Sequence, residues 1–263
     1  HRAIGFMSME SCDFLDLLRE GKYLPEGAAV TPAGHPFEDT EGTTILAVRY
    51  KEGVLVAGDR RATMGNLVVY DRADKVLSID DDSVMAISGS PAIAYEIARM
   101  LEMSVQYYRR SQLQKLSLDG KLRTLSRLLR QNLPMAMQGV GAVIPIYAAF
   151  DERDGLGKIF FYDLLGATFE SVDFCTTGSG SSIIRGALYY LNRWGGTPLA
   201  EMDEKAALEV VVKMLETAAE YDTATGGYRR NARIFPTVMR VDANGIHCVD
   251  EDELEAIFQG RIA

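Results

Sequence analysis

Apolar and β-branched residues alternate through TTILAVRY, and VLVAGD follows after the short segment KEG. This period-two pattern around a turn predicts a hairpin that starts at Thr43. The stretch RRATMGNLVVYDRAD reads as a loop, and KVLSI and SVMAISG then predict two more short strands, so the region opens as a β-meander. The period then changes. Ile93, Ile97, Met100, Leu101, Val105 and Tyr108 recur at helical spacing. Leu122, Leu125, Leu128, Leu129 and Leu133 do the same, with Asp119 as the expected N-cap. Strand signals return in AVIPIYAAF, GKIFFYDL and ATFESVDFCTTG. Helical stretches near 181–193 and 203–220 follow, and PTVMRV and GIHCV pair around the turn DANG. The tail EDELEAIFQGRIA predicts a last turn of helix.

The order is strands, two helices, strands, two helices, strands. It is not an alternating βαβ series, which disfavours a parallel doubly wound sheet. An α+β architecture of two antiparallel sheets with a helical layer on each outer side, a four-layer αββα sandwich, buries every apolar face of the pattern.

Residues 1–42 stand apart from this pattern. They hold three basic and eight acidic side chains, a net of −5, whereas the whole chain of 263 residues carries −9. Phe14, Leu17 and Leu18 suggest a short amphipathic turn or two, and EGAAVTPAGHPFEDTEG after Pro25 reads as an extended or disordered linker. The sequence opens on His1, read as a fragment or as carrying a few added residues, with Met7 and Met9 as candidate natural starts. The acid excess makes phosphate-backbone binding, and so nucleic acid, a poor expectation. Absence of a run of about 18 apolar residues gives no expectation of a membrane span. Three unpaired-looking cysteines (Cys12, Cys175 and Cys248) and the lack of a secretory signal point to a reducing, cytoplasmic setting.

Candidate chemistry is narrow. The histidines are His1, His35 and His247, so a Ser-His-Asp or Cys-His arrangement has His247 alone to draw on. There is no HxxxH or CxxC pair, and neither metal nor cofactor is expected. TTGSGSSIIRGAL lacks the lysine of a phosphate loop and reads as a tight strand-to-helix turn capped by Ser181 or Ser182. Thr43, however, follows Gly42 at the junction of leader and first strand, Asp59 ends the second strand, and Lys75 begins the third. A threonine hydroxyl needs a nearby base. Cleavage between Gly42 and Thr43 would create one, the α-amine of Thr43, whose free pKa is near ~8. Lys75 paired with Asp59 would lower the proton affinity of that hydroxyl and move protons. Gly89, after another strand, offers a backbone N–H to an oxyanion.

In this order these features resemble the catalytic β-type subunit of the 20S proteasome, most closely the bacterial, actinobacterial-type form. GTTILAVRYKEGVLVAGDRRATMGN, RADKV, LSLDGK, NLPMAMQG, TTGSGS and DTATGGYRRNARIFPTV carry the resemblance, from Thr43 to about Val249. It implies the N-terminal-nucleophile hydrolase fold and a threonine endopeptidase that hydrolyses unfolded polypeptides. It divides the chain into an acidic propeptide, 1–42, removed on maturation, and a peptidase domain, 43–263. Carried over by position, it implies Thr43 as nucleophile with Asp59 and Lys75 as charge partners, and Gly89 as oxyanion donor. Ser179, Asp222 and Thr225 would hold the α-amine and a proton-relay water. Arg61 would brace the nearby loop, and the Thr63 backbone would pair with substrate. Ala62, Ala73, Ile87 and Pro91 would line the first specificity pocket. Pro91 departs from the family by lacking an N–H two residues past the oxyanion glycine. The implied partners are a second copy ring stacked on the first, rings of α-type subunits, and a regulatory ATPase or other activator.

Three other readings compete with this one. An ATPase-activated two-component peptidase also begins Thr-Thr, but is shorter and usually lacks a long leader. A stand-alone amidase of the same fold would act on a small molecule as a monomer. An inactive structural ring subunit would not need Thr43, Asp59 and Lys75 together.

Overall fold

The computed structural model describes residues 42–64, 67–138 and 141–260. The expectations for the leader before Gly42, including the amphipathic turn and the linker, lie outside the described residues.

Strands β1 (Thr44–Arg49) and β2 (Gly53–Gly58) form the expected hairpin at the middle of one sheet. Its antiparallel order is β10-β1-β2-β11-β12, with β10 at Phe174–Gly178, β11 at Thr237–Asp242 and β12 at Gly245–Cys248. The second sheet has the order β5-β6-β7-β8-β9, also antiparallel. Its strands are β5 (Val76–Asp80), β6 (Ser83–Ala86), β7 (Ile146–Asp151), β8 (Leu156–Tyr162) and β9 (Thr168–Ser171).

The alternation of side chains along each strand sorts the apolar residues into three cores. Ile45 and Ala47 of β1 and Val54 and Val56 of β2 meet Val84, Ala86, Ile146 and Ile159 between the sheets. Leu46, Val48, Leu55 and Ala57 point the other way, against α3 (Ser181–Trp194), α4 (Glu204–Tyr221) and α5 (Glu251–Gln259). Met85, Tyr147 and Phe160 pack beneath α1 (Pro91–Gln112) and α2 (Leu118–Ala136). This is the αββα sandwich the pattern predicts. The period-two reading of β1 and β2 needs correction: Ile45–Val48 and Val54–Ala57 are uninterrupted apolar runs, because both strands are buried on both faces.

Several local expectations need correction. The first strands do not form one meander: β1 and β2 lie in one sheet and β5 and β6 in the other. The presumed loop contains a two-stranded hairpin, β3 (Ala62–Met64) with β4 (Leu67–Tyr70). All four residues of β4 are exposed, so no core imposes an alternating pattern on them. ATFESVDFCTTG is two strands, β9 and β10, that belong to different sheets. The N-cap of α2 is Ser117, whose hydroxyl accepts from the Gly120 N–H, while Asp119 lies in the first turn. Gly180, not Ser181 or Ser182, caps α3, because no Cβ fits there next to the Thr44 and Thr225 hydroxyls.

Candidate active site

Strand ends from both sheets meet at one place. Thr43 sits directly before β1, Asp59 directly after β2, Ser179 directly after β10, and Lys75 directly before β5. Gly58 allows the sheets to close here: a Cβ on it would lie 3.3 Å from Lys75 Cβ and 3.1 Å from Ile45 Cγ2.

Asp59 is fully buried and well supplied with donors. Its Oδ1 accepts from the Thr44 N–H (2.8 Å) and from Lys75 Nζ (2.8 Å). Its Oδ2 accepts from the Arg61 and Gly226 N–H groups, both at 2.9 Å. A buried carboxylate is tolerated when its lone pairs are met in this way. Lys75 also donates to the Arg61 carbonyl (2.5 Å) and approaches the Gly42 carbonyl at 3.3 Å. Thr43 itself is only 4% exposed.

On the other side of Thr43 a second polar group assembles. The Thr43 N–H donates to Ser179 Oγ at 3.2 Å, and Ser179 Oγ donates to Asp222 Oδ2 at 2.6 Å. Thr225 Oγ1 donates to the same Asp222 oxygen at 2.5 Å. Asp222 and Thr225 occupy the turn that ends α4, and Arg61 Nη1 holds that turn through the Thr223 (2.9 Å) and Thr225 (3.2 Å) carbonyls. Thr63 takes a role beyond the expected one: its Oγ1 accepts from the Gly42 N–H at 3.1 Å, while its backbone pairs with Val68 in the β3–β4 hairpin.

A cavity of about 440 Å³ opens on Gly42 and Thr43. Ala62, Ala73, Ile87, Gly89 and Pro91 all line it, together with Lys75. Gly89 has φ +99, and a Cβ there would fall 2.0 Å from the Ala142 carbonyl oxygen, so the position is closed to any side chain. Tyr70, Leu77 and Tyr95 complete the apolar wall and were not anticipated. Two of them had a signal. Leu77 is two residues past Lys75 on a strand, and Tyr95 is four past Pro91 on a helix, so each shares its neighbour's face. Arg72 and Asp74 also border the cavity, so its rim carries charge beside the apolar wall. Asp74 is paired with Arg60 at 3.1 Å, and Arg72 Nη2 reaches the Ala232 carbonyl at 3.2 Å.

Chemically, the arrangement offers a buried threonine whose preceding carbonyl faces an ammonium–carboxylate pair, a hydroxyl–carboxylate group around the nitrogen of the same residue, and an adjoining cavity. Among the described residues no cluster of His, Cys, Asp and Glu is placed to hold a metal ion. No helix among them is long and apolar enough to cross a membrane. A family model described as "Proteasome subunit" matches residues 40–230. The chain belongs to the proteasome subunit family. "Proteasome subunit beta 2" of Thermomonospora curvata is 42% identical over 98% of this chain and 90% of its own length. "Proteasome subunit beta" of Acidothermus cellulolyticus is 39% identical over 91% and 82%, and that of Streptomyces griseus subsp. griseus 35% identical over 96% and 88%. The chain is thus a bacterial proteasome β-type subunit, a threonine-type endopeptidase subunit of the 20S core with the N-terminal-nucleophile fold. That status implies assembly with α-type subunits. The amidase and two-component readings give way to it. The match to the Thermomonospora protein covers too much of the chain to begin at Thr43, so this proteasome relative also has counterparts to much of the segment before it.

Proposed function

We propose that residues 1–42 are a propeptide and that the proteasome subunit activates itself by cutting between Gly42 and Thr43. The observation that carries this reading is the 3.3 Å approach of Lys75 Nζ to the Gly42 carbonyl oxygen, with the same ammonium held by buried Asp59. Thr43 Oγ1 attacks the Gly42 carbonyl carbon, and the C–N bond breaks as the nitrogen takes a proton. Water then hydrolyses the resulting ester, leaving a carboxylate on Gly42 and a free amine on Thr43.

In turnover that amine accepts the Oγ1 proton as Oγ1 adds to a substrate carbonyl, and returns it to the departing amine; it then takes a proton from the water that attacks the resulting ester and gives it to Oγ1 as the carboxylic acid product leaves. Lys75, fixed by Asp59, stabilises the developing negative charge on Oγ1. The Gly89 N–H donates to the tetrahedral oxyanion. Ser179 and Asp222 orient the amine, and Thr225 supports the relay water. Ala62, Ala73, Ile87 and Pro91 receive the side chain before the cut, and Thr63 lies along the bound chain. No cofactor takes part. The substrates are unfolded polypeptides in the cytoplasm. They are admitted to a chamber made by two stacked rings of this subunit, α-type rings and a regulatory ATPase or other activator.

Thr43→Ala tests the reading. The variant should retain residues 1–42 in intact-mass measurements and show no peptidase activity. A variant that still removes its leader without any other protease present defeats self-processing.

A further inference from the structure

We infer that Thr44, the residue after the nucleophile, is a positioning residue: its side-chain hydroxyl sets the proton orientation of the group that holds the Thr43 nitrogen. This rests on the proposed role of Thr43, and adds to it a residue that touches neither substrate nor the reacting atoms.

Proton counting gives the direction of each bond. The carboxylate oxygen Asp222 Oδ2 accepts from Ser179 Oγ (2.6 Å) and from Thr225 Oγ1 (2.5 Å). A hydroxyl has one proton. Thr225 has therefore committed its own, and in the 2.6 Å contact between Thr44 Oγ1 and Thr225 Oγ1 the donor is Thr44. Thr44 Oγ1 in turn accepts from the Gly180 N–H at 3.1 Å. The same count makes Ser179 an acceptor towards the Thr43 N–H, so its 3.2 Å contact with the Thr43 carbonyl is not the bond that holds its proton. The result is a one-way chain from Gly180 N–H through Thr44 and Thr225 to Asp222, where it meets the Ser179 branch that reaches Thr43.

Two further observations show that the hydroxyl's place is built. Thr44 and Thr225 are fully buried, so water does not substitute for either partner. Gly180 has φ −80, which any residue adopts, yet a Cβ there would lie 2.3 Å from Thr44 Oγ1 and 3.0 Å from Thr225 Oγ1. Glycine at 180 is required by the two hydroxyls, not by the backbone.

Thr44 also joins the two halves of the site. Its N–H donates to Asp59 Oδ1, the oxygen that takes Lys75 Nζ, and its hydroxyl serves Asp222. Once the Gly42–Thr43 bond is cut, Thr43 loses its covalent restraint on one side. A free terminus stays ordered only when it is tied down. Thr44 supplies that tie through backbone and hydroxyl together.

Without the Thr44 proton, Thr225 Oγ1 keeps its bond to Asp222 but is left with an unmet lone pair in a site closed to water, and its O–H loses the polarisation that a donating neighbour supplies. Asp222, with one O–H donor weakened, becomes a stronger partner for the protonated amine of Thr43. The amine then releases its proton only at higher pH.

The experiment compares Thr44→Val, which keeps the shape, with Thr44→Ser, which keeps the hydroxyl, in co-expressed and assembled 20S particles. Expected for Thr44→Val is a kcat on short peptides at pH 7 lower by about three- to tenfold, the size of one lost hydrogen bond. KM should be unchanged, and the acid limb of the kcat profile should move to higher pH. Thr44→Ser should restore both. Gly180→Ala, which displaces the hydroxyl without removing it, should reproduce the Thr44→Val profile and serves if that variant fails to assemble. A wild-type pH profile in Thr44→Val or Gly180→Ala overturns the inference, as does an equal loss in Thr44→Ser. Labelling of wild-type Thr43 by a covalent electrophile, located by peptide mapping, checks the nucleophile independently. Absent labelling sinks the reading of Thr43 and leaves the Thr44 outcomes distinguishable from it.

Discussion

Lys75 and Asp59 meet across the gap between the two sheets, with Nζ 2.8 Å from Oδ1 and side chains 7% and 0% exposed. In the interior such a pair is costly to desolvate and is weak evidence for stability on its own. Its partners show what the pair organises: Asp59 takes three backbone N–H groups that order the chain around Thr43, and Lys75 reaches the Gly42 carbonyl.

On the proposed mechanism Lys75 acts as a charge and not as packing. Lys75→Met fills much of the same volume and leaves Asp59 with its backbone donors, so particles should still assemble. Peptidase activity should fall by about 10²-fold or more, the usual loss when an electrostatic partner of the transition state is removed. Lys75→Ala should behave alike. Steady-state assays on short peptides decide, and a Lys75→Met enzyme that keeps most of its rate rules out the proton-transfer role.

The wall of the cavity beside Thr43 is formed largely by Ala62, Ala73, Leu77, Ile87, Pro91 and Tyr95, while the bordering Asp74 and Arg72 already have partners. Peptides with Leu, Tyr or Phe before the cut should outrun those with Asp or Arg. Burying an unpaired charge costs several kcal/mol, so the ratio of kcat/KM should exceed about tenfold. A strong preference for Arg would mean that Asp74 leaves Arg60 to read the substrate, and the apolar assignment would fall.

Legibility in the sequence followed burial. β1 and β2 are enclosed on both faces and read clearly as strands, and α1 and α2 repeat apolar residues against one sheet. β4 was invisible because Leu67, Val68, Val69 and Tyr70 are all exposed and share no buried face. The division of successive strands between two sheets was also hidden, because side-chain alternation reports faces and not pairing partners. Among site residues, Thr43, Asp59 and Lys75 are each ordinary where they stand, at strand ends separated by turns. Family resemblance linked them, and the fold brings them within hydrogen-bonding range of one another's supports. Thr44 escaped notice because its partners, Gly180 and Thr225, are distant in sequence and its β-branched shape already suits a strand.

A second buried ion group lies away from the site. Lys121 is 3% exposed and bonds Asp80 (2.6 Å) and Asp82, and Lys115 adds a contact to Asp82 at 3.2 Å. Burial works to raise the Asp82 pKa, but the hydrogen bonds and charge of Lys121, with Lys115, outweigh it and hold the carboxyl below its ordinary 3.8. The folded value is thus below the unfolded one. The stability this contributes is complete above the ordinary aspartate value and is lost as pH falls through the folded one. Asp82→Asn should be less stable than wild type at neutral pH and should lose less on acidification from about pH 5 to pH 2. Urea midpoints across that range test it, and parallel curves for the two proteins would remove Asp82 from the account.

Pro91 is the first residue of α1 and also lines the cavity. At that position proline is well tolerated, because the N–H it lacks has no partner within the helix. The same fact makes the missing donor matter for substrate. An N–H at the first helical position is not used by the fold, so a residue other than proline would present it to an extended peptide lying beside Gly89. Such a peptide pairs as an added strand, and a carbonyl facing Pro91 has to find water instead. One exchanged hydrogen bond is worth roughly 0.5–1.5 kcal/mol, which corresponds to a several-fold change in binding. Pro91→Ala should therefore lower KM for short peptides several-fold with kcat nearly constant. Helix α1 should lose only a little stability, about 0.4–1 kcal/mol, through the freer unfolded chain. Melting curves separate the two effects. An unchanged KM with the expected small loss of stability would show that the proline only starts the helix, and that bound peptide runs along a different line past Gly89.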